Sequence, residues 1–474
     1  MSSVVAESVT KEHKLSSETT IFFISHASVG IRYKEHILVT DPWYIKPAFT
    51  TWKTSPCATL SVDALSTMSY GGKLGFLISH AHGDHYDPEF LKLCWPGSPV
   101  FICKFPNSQF RTSLQNDCGL NNVTEITSYD EAGVKWGPFN LNAWLDPGSD
   151  FDSLLSIKCP DAFIFHGNDA WGITDQKLGD SVARVKSNCG RCRSLFMGQG
   201  GTASGWPLTY FCYTEDEKTQ LLTRKVEQMV SSIHKTCDKY EFDRALAYAM
   251  LSRIDLPGKR YSFKTPTMTG KRANNLCGSS LFLDLHPGDV YIPRDDRVVK
   301  ILGSLKYTEM FQNNMGESPD FGPDIAFENW VEEGYHELCK SFVTKTLPEY
   351  IAAELGKDSS MKNPQQLTEC GKWVEKDFDL RFKLLITNNY QENKIVDEIS
   401  VCLYKGTREK VLRVPGKIMA KVCNGEIPFR DLYIGYLAEF SRTPKSVYNY
   451  HFIQAMHGCG VAFFKTKGIQ IGTL

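Results

Sequence analysis

The chain lacks the long apolar runs and the charge imbalance that would link it to a membrane or to nucleic acid. No window of about 18 consecutive apolar residues occurs in the sequence, and no basic segment followed by an apolar stretch opens it. Its 53 basic and 54 acidic residues give a formal net charge of -1, with no block of like charge. We therefore expect a cytoplasmic protein without a membrane span, which acts on a small molecule and does not bind nucleic acid.

A disulfide framework and a phosphate-binding loop are also missing. The 15 cysteines are scattered and odd in number, which is typical of buried thiols in a reducing compartment. Cys189 and Cys192 have C-x-x-C spacing, but no second pair stands at zinc-finger distance, so two free thiols are favoured over a redox or metal site. The glycine-rich turn GQGGTASGWP lacks the Lys-Ser/Thr ending of a P-loop.

The chain has ample apolar material, with 42% hydrophobic residues, and its strands and helices alternate. This alternation predicts a layered α/β protein in which helices cover sheets. The first segments, TIFFISHASVGIRY and HILVTDPWY, are interpreted as two strands joined at KE. The clearest helix is TEDEKTQLLTRKVEQMVSSIHKTC, in which Thr214 and Glu217 form a capping box.

Changes in composition divide the chain into three parts. We expect a flexible arm at 1–18, an α/β domain at 19–298 and a smaller C-terminal α+β domain at 299–474. In the last part, residues 324–355 are predicted to form a helix, and FDLRFKLLIT, EISVCLYKG and KVLRVP are predicted to form antiparallel strands.

Three histidines and an aspartate stand within six positions directly after an apolar run, in LISHAHGDHYD. His80 and His82 are two residues apart and point the same way at a strand end. Asp84 and His85 are adjacent at a turn that Gly83 eases. Imidazole and carboxylate groups are ligands of zinc, iron and manganese, and two ligand pairs in one loop can serve two ions. The motif therefore predicts a dinuclear metal site.

The pattern H-x-H-x-D-H after a strand resembles the signature of the metallo-β-lactamase fold superfamily, whose members are αββα sandwiches. In that resemblance His80 and His82 match the first metal site, and Asp84 and His85 match the second. ISHASVGIRYKEHILVTDPWYIKPAF is similar to the opening of the ascorbate-phosphate lactonase and N-acyl phosphatidylethanolamine phospholipase group. DPW, ISHAHGDHYDPEFLKL, and DSLLSIK leading to GNDAW resemble the CMP-N-acetylneuraminate hydroxylase family. The resemblance covers roughly residues 20 to 290.

The resemblance implies further ligands. Asp169 in FHGNDAW matches the aspartate that bridges both metals in the family, and it shares with Asp84 the role of orienting a reactive water. The family's third histidine is missing, because no histidine lies between His85 and His166. Asp152 best matches the hydroxylase-like branch at that point.

Other residues are weaker candidates for the site. Asp146 and Asp150 are the remaining carboxylates near the missing third histidine. The family's last histidine is also not found where expected, in RALAYAMLSR, so His166 and His286 are either pocket residues or structural histidines. The turn after residue 200 contributes three candidates for the substrate pocket: Ser204, Trp206 and Tyr210.

The donor set favours iron, which binds oxygen and histidine donors together. We therefore expect a non-haem diiron oxygenase, a monooxygenase that hydroxylates or oxidises a small molecule. The alternative is a dinuclear hydrolase of lactonase or phosphodiesterase type, with zinc or manganese as the alternative metals. The hydroxylase family also carries a Rieske cluster, which needs C-x-H and C-x-x-H pairs, and neither spacing occurs in this sequence. Electrons would then come from a separate donor or from the substrate.

The C-terminal domain resembles sterol-carrier-like or dimerisation domains. Tyr433, Tyr436 and Tyr448 are expected to cover the mouth of the site or to build a homodimer interface. Packing in a core would explain these three tyrosines equally well.

Overall fold

The structure of the protein is a computed structural model. The residues that it describes are 17–54, 73–93, 97–147, 152–170, 172–201, 205–256, 259–260, 268–300, 321–356, 378–403, 405–446 and 450–466. Most of the predicted arm at 1–18, together with Asp150, Ser204 and Tyr448, lies outside them. Among the described helices, none has the length and apolar character that a membrane crossing requires.

Two large mixed sheets form the centre of the molecule. In spatial order, the first sheet contains β17 (Arg297–Val299), β16 (Val290–Ile292), β1 (Thr20–Ser25), β2 (Ser28–Tyr33), β3 (His36–Thr40), β5 (Lys73–Ile78), β6 (Val100–Cys103) and β7 (Val123–Ile126). The second contains β13 (Arg244–Tyr248), β12 (Arg193–Gln199), β11 (Ala162–His166), β10 (Ser153–Lys158), β9 (Phe139–Leu145) and β8 (Val134–Trp136). A small sheet joins β15 (Lys259–Arg260), β14 (Ser252–Leu256) and β4 (Trp52–Thr54).

Helices cover the outer faces of the two sheets. The first sheet carries α1 (Pro88–Leu93) and α2 (Gln109–Asn116), and the second carries α3 (Gln176–Ser187), α4 (Glu215–Tyr240) and α5 (Gly270–Cys277). A separate apolar core lies between the sheets and includes Phe23, Leu77 and Leu155. These layers form the expected αββα sandwich, because each sheet buries one face on the other sheet and one face under helices.

The longest helix, α4, begins as the sequence predicts. The Thr214 side chain accepts from the Glu217 backbone N–H, and the Glu217 side chain accepts from the Thr214 N–H, which completes the capping box. Val226, Val230 and Ile233 are fully buried against the second sheet. Their helical spacing therefore marks the face of α4 that packs on the core.

Two details of the predicted strands were wrong. TIFFISHASVGIRY forms two antiparallel strands, β1 and β2, because His26 has a left-handed backbone (φ 42°) that ends the first of them. In the C-terminal part, the predicted strands are not all antiparallel: Leu380–Thr387 and Arg408–Pro415 run parallel, as the crossing connection through a third strand requires.

The C-terminal part contains a four-stranded sheet of β19 (Ile395–Leu403), β18 (Leu380–Thr387), β20 (Arg408–Pro415) and β21 (Glu439–Thr443). Its helices are α6 (Phe327–Glu332), α7 (Tyr335–Ser341), α8 (Leu347–Gly356), α9 (Gly416–Cys423), α10 (Asp431–Ile434) and α11 (Tyr450–Thr466), with a π-helical turn at Phe342–Thr346. The single helix predicted at 324–355 is thus broken, and Gly334 takes a left-handed conformation (φ 79°) at the first break.

The C-terminal sheet and the sandwich share one apolar core. Trp43, Trp52 and Leu208 from the sandwich pack in the same cluster as Phe440 and Tyr436. Hydrogen bonds cross the junction as well, since the Phe211 N–H donates to the Phe440 carbonyl and the Trp52 indole N–H donates to the Ile434 carbonyl. Cores and hydrogen bonds of this kind hold the C-terminal part rigidly against the sandwich. Tyr433 and Tyr436 are buried in this packing.

Candidate metal centre

The loop that follows β5 carries the predicted ligands, and backbone hydrogen bonds fix its shape. The His85 and Tyr86 N–H groups both donate to the His82 carbonyl, which closes a tight turn. Asp87 then caps α1, because its Oδ1 accepts from the Phe90 N–H. Its Oδ2 accepts from the backbone N–H groups of residues 44 to 46, which ties the loop to the segment after β3.

Six side chains gather into two groups of ligand type. The first group is His80, His82 and Asp169, and the second is His26, Asp84 and His85. Within each group the ligand atoms lie within 4.8 Å of one another. All but His26 were predicted from the sequence. Three imidazole or carboxylate donors at this spacing match the coordination shell of a transition metal ion.

The two groups adjoin each other. His85 Nε2 lies 3.2 Å from Asp169 Oδ1 and 3.7 Å from Asp84 Oδ2, so His85 stands between the carboxylates of both groups. The His80 and His85 rings are 4.4 Å apart between centroids. Asp152 approaches the first group, with its Oδ1 3.5 Å from His80 Nε2. Asp152 thereby brings a fourth donor to the first group.

Asp41, at the end of β3, holds His85 in place. Its fully buried carboxylate accepts from the Ser79 N–H, the Ser79 hydroxyl and His85 Nδ1, each at 2.8 Å. β3 and β5 are parallel neighbours, so Asp41 and Ser79 emerge at the same edge of the sheet. With Nδ1 occupied, His85 presents Nε2 to the carboxylates, as a metal-binding histidine does.

His80 is oriented in the same way. Its Nδ1 lies 3.0 Å from the Ser79 hydroxyl and 3.1 Å from Asn168 Nδ2. Because the Ser79 hydroxyl donates to Asp41, it can accept a proton from His80 Nδ1, which leaves a lone pair on His80 Nε2. That Nε2 lies 2.7 Å from His82 Nδ1. The two nitrogens therefore converge on one position.

The charges of the cluster suit a cation. Burial and the neighbouring imidazoles of His85 and His82 hold the pKa of His80 well below its usual value, which keeps its ring neutral. Burial would raise the pKa of Asp169, but His85 outweighs it and lowers that pKa to about 2. For His85, burial opposes protonation, yet Asp169 and Asp84 raise its pKa well above the usual value. A cation is thus stabilised between the two carboxylates.

Several buried polar atoms in the cluster have no hydrogen-bond partner of good geometry among the described residues. They include His85 Nε2, Asp169 Oδ1 and both ring nitrogens of His26. Burying such groups without a partner costs roughly 1–3 kcal/mol each. A metal ion bound by these atoms would remove that cost, so the donor set fits a metal.

The backbone around the cluster is strained. His26, Asp41, Asn168 and Ala249 are non-glycine residues with φ between 38° and 54°. The Ala249 N–H donates to the His26 carbonyl, so two of the strained positions support each other. Strained backbone of this kind persists where the surrounding structure holds it, and it is common at functional sites.

A cavity of about 670 Å³ lies beside the ligand loop. Ala81 and Gly83 from the loop form part of its wall, and Lys46, Arg430 and Asp431 bring charges of both signs. Burial lowers the pKa of Arg430, while Asp431 and Asp84 favour its charged form, so this guanidinium faces the metal ligands. The C-terminal part therefore contributes to the wall beside the metal centre.

The remaining sequence candidates lie around or away from the cluster. His166 is fully buried behind it, with Nδ1 2.9 Å from the Tyr248 hydroxyl and Nε2 3.4 Å from Asp41. His286 lies elsewhere, 3.9 Å from Asp284, and belongs to neither ligand group. Asp146 is in neither group and its N–H donates to the Asp152 carbonyl.

Trp206 and Tyr210, expected in the substrate pocket, lie against the C-terminal sheet, where Tyr210 stacks on Phe440 at 5.5 Å. Cys189 and Cys192 are free thiols, as expected. Burial raises the pKa of both, which makes them poor nucleophiles.

Sequence reasoning missed His26, Asp41 and Arg430. His26 and Asp41 each follow a short apolar strand, in FFISH and ILVTD, and a ligand-type residue at a strand end was the available signal. Arg430 lies about 350 residues from the motif, and no local pattern marks it. Only the fold brings it to the ligand loop.

No protein-family model matches the chain. It is similar to cytidine monophosphate-N-acetylneuraminic acid hydroxylases. The protein from Asterias rubens is 26% identical over 229 residues, which are 45% of this chain and 31% of that protein. The protein from Mus musculus is 24% identical over 348 residues, which are 69% of this chain and 54% of that protein. The chain thus spans about half or less of the length of these relatives.

Solved structures with a similar fold include two metalloproteins. One is a possible metal-dependent hydrolase from Veillonella parvula, with 12% identity and a TM-score of 0.39, covering 58% of this chain and all of that one. The other is CmlA, a diiron β-hydroxylase from Streptomyces venezuelae, with 15% identity and a TM-score of 0.38, covering 60% of this chain and 55% of that one.

Proposed function

We propose that this chain, which has the metallo-β-lactamase fold, is a metal-dependent oxygenase that uses two iron ions to hydroxylate or oxidise a small molecule. The observation that carries the proposal is the donor set of the first ligand group. Asp152 lies 3.5 Å from His80 and Asp169 completes the group, so carboxylates stand beside the His80 and His82 imidazoles. Mixed carboxylate and imidazole sites suit iron, whereas purely imidazole sites suit zinc equally well.

The residues would divide between the two ions as the geometry groups them. His80, His82, Asp152 and Asp169 would hold one ion, and His26, Asp84 and His85 would hold the other, with Asp169 close enough to both to bridge them. Bound iron supplies the capacity to activate dioxygen, which no side chain provides.

The chain itself positions these groups and the substrate. Asp41 fixes the His85 ring through Nδ1, and Ser79 holds His80 through its own Nδ1. The cavity beside the loop would bind the substrate, with Arg430 as the cation that faces an acidic or electron-rich group. Packing of the C-terminal part against this wall limits the access of bulk water to the reacting atoms.

The similarity to hydroxylases supports oxygenation over hydrolysis. A monooxygenase inserts one oxygen atom of dioxygen into a substrate bond and reduces the other to water, which takes two electrons and two protons. The sequence has no C-x-H or C-x-x-H pair for a Rieske cluster. We therefore propose that a separate protein or the substrate supplies the electrons.

A dinuclear hydrolase is the second candidate, and the missing Rieske spacing favours it. In that case the ions would be zinc or manganese, and Asp84 or Asp169 would orient a water molecule for attack on a carbonyl or phosphoryl group. The same ligand groups and the same cavity would serve both reactions.

Metal analysis of the purified protein, with optical spectra under air and under nitrogen, separates the two candidates. The oxygenase predicts two irons per chain and a charge-transfer band that changes with oxygen. A colourless protein with stoichiometric zinc contradicts it.

Asp152→His adds a second test. The variant should lose iron and oxygen-dependent spectral change if the carboxylate is essential. In a zinc hydrolase the restored histidine should preserve metal content. Asp146→His is the matched control, because Asp146 lies nearby but outside both ligand groups.

A further inference from the structure

Two cationic side chains lie side by side where the C-terminal sheet meets the sandwich. Lys410 on β20 pairs directly with Arg442 on β21 in the antiparallel ladder. Their exposed fractions are 1% and 6%, so both are buried. Like charges directly opposite each other destabilise a strand pair. Burial increases that repulsion, because the protein interior screens charge less than water does.

Aromatic rings from the sandwich surround these cations. Lys410 Nζ donates to the Tyr210 hydroxyl at 3.1 Å, and the Arg442 guanidinium lies 5.3 Å from the Tyr210 ring and 5.9 Å from the Trp206 ring. Lys225 of α4 lies over the other partner, with Nζ 5.9 Å from the Trp206 ring. Three cationic residues thus converge around Trp206 and Tyr210. Cation–π contacts stabilise them only in part.

Arg442 has unused donor capacity. Its Nη2 donates to the Tyr213 hydroxyl at 2.6 Å, but Nε and Nη1 are buried and have no hydrogen-bond partner among the described residues. A buried guanidinium that leaves two donor atoms unsatisfied is costly unless an anion accepts from them. Nε and a terminal nitrogen form the fork that binds two oxygens of one oxyanion.

We propose that Arg442, Lys410 and Lys225 form a binding site for a tetrahedral oxyanion of the phosphate class. The guanidinium fork matches two oxygens of one phosphate group, and two ammonium groups supply charge for a dianion. None of these residues belongs to either metal-ligand group, so the site goes beyond the proposed oxygenase reaction. Trp206, Tyr213 and Lys225 are half-buried, which gives the site an opening to solvent.

The test is titration of the metal-loaded protein with inorganic phosphate, followed by calorimetry and by thermal unfolding at constant ionic strength. Phosphate should bind to the wild type and raise its unfolding temperature. Arg442→Met should weaken that binding at least about tenfold, because it removes charge-assisted hydrogen bonds. Lys225→Met, at a half-buried position that tolerates the change, should weaken it by a smaller factor. Arg224→Met is the matched control, since Arg224 is exposed on the same helix.

Two results would overturn the proposal. One is phosphate binding that is equal in the wild type, Arg442→Met and Lys225→Met, which would assign the binding to the metal centre instead. The other is acetate binding as tightly as phosphate, which would exclude the phosphate class. Without phosphate, Arg442→Met should unfold at or above the wild-type temperature, because the repulsion with Lys410 is removed. A purely structural Arg442 would instead lower it.

Discussion

Replacing Asp41 by Asn should disable the metal centre without changing its shape. The Asp41 carboxylate accepts three hydrogen bonds of 2.8 Å, two from Ser79 and one from His85 Nδ1. Asn tolerates the left-handed backbone found here (φ 38°), so the side chain alone is tested. The amide can still accept from the Ser79 N–H, but its NH₂ group then faces His85. That ring must turn its lone pair to Nδ1 and carry its proton on Nε2, the atom that faces Asp169.

The loss can be bounded from these contacts. Removal of a buried hydrogen bond to a charged group costs roughly 1.5–3 kcal/mol. Loss of an outer-shell partner of a metal-binding histidine typically weakens metal affinity about 10–100-fold. We expect Asp41→Asn to show both effects, measured by chelator competition for the metal and by thermal unfolding of the metal-free protein.

Asp397→Asn is the control for this experiment. Asp397 is also buried and accepts from His336 Nδ1 at 2.7 Å and from the Trp330 indole at 3.0 Å, far along the chain from the ligand loop. It should lose stability and keep its metal affinity. Wild-type metal affinity in Asp41→Asn would refute the positioning role of Asp41.

Two further predictions concern stability. Thr214→Ala removes one side of the capping box on α4 and should lower the free energy of unfolding by about 1 kcal/mol, whereas Thr214→Ser should not; equal stability of the two variants in urea unfolding would contradict the role of the cap. Burial lowers the pKa of Lys225 from 10.5 to about 8 in the folded protein, so the folded state binds fewer protons between these values and stability should rise with pH across that window. In phosphate-free buffer Lys225→Met should lack this rise and should be more stable than wild type at pH 7 by about 2 kcal/mol, allowing for partial exposure; parallel pH profiles of the two proteins would rule the effect out.

Local patterns in the sequence predict much of the sandwich. FNLNAWL becomes β9 and DSLLSIK becomes β10, because short apolar segments between turn residues have few alternatives to a strand. The motif at 80–85 likewise predicts a ligand loop, since its side chains are close in sequence. What local patterns miss is pairing and long-range approach. The parallel pairing of β18 with β20 depends on tertiary packing, and nothing near His26 or Arg430 reveals that each lies beside Asp84.

The strained backbone shows the same limit. Asn168 adopts φ 54° beside Asp169, and the Asn168 N–H donates to the Tyr248 hydroxyl from another strand. Asn tolerates this conformation, but many asparagines do so without lying at a site. A partner 80 positions away holds the turn in place, so only the assembled sheet identifies it.

The central claim is that these residues hold two iron ions in a carboxylate-rich site. Mössbauer spectroscopy on protein produced with isotopically enriched iron tests it most directly. The proposal predicts two irons per chain in equal amounts, magnetically coupled, with the signal lost in His82→Ala and altered in Asp152→His. Isolated mononuclear iron, or a protein that takes up zinc and leaves iron unbound, would contradict it.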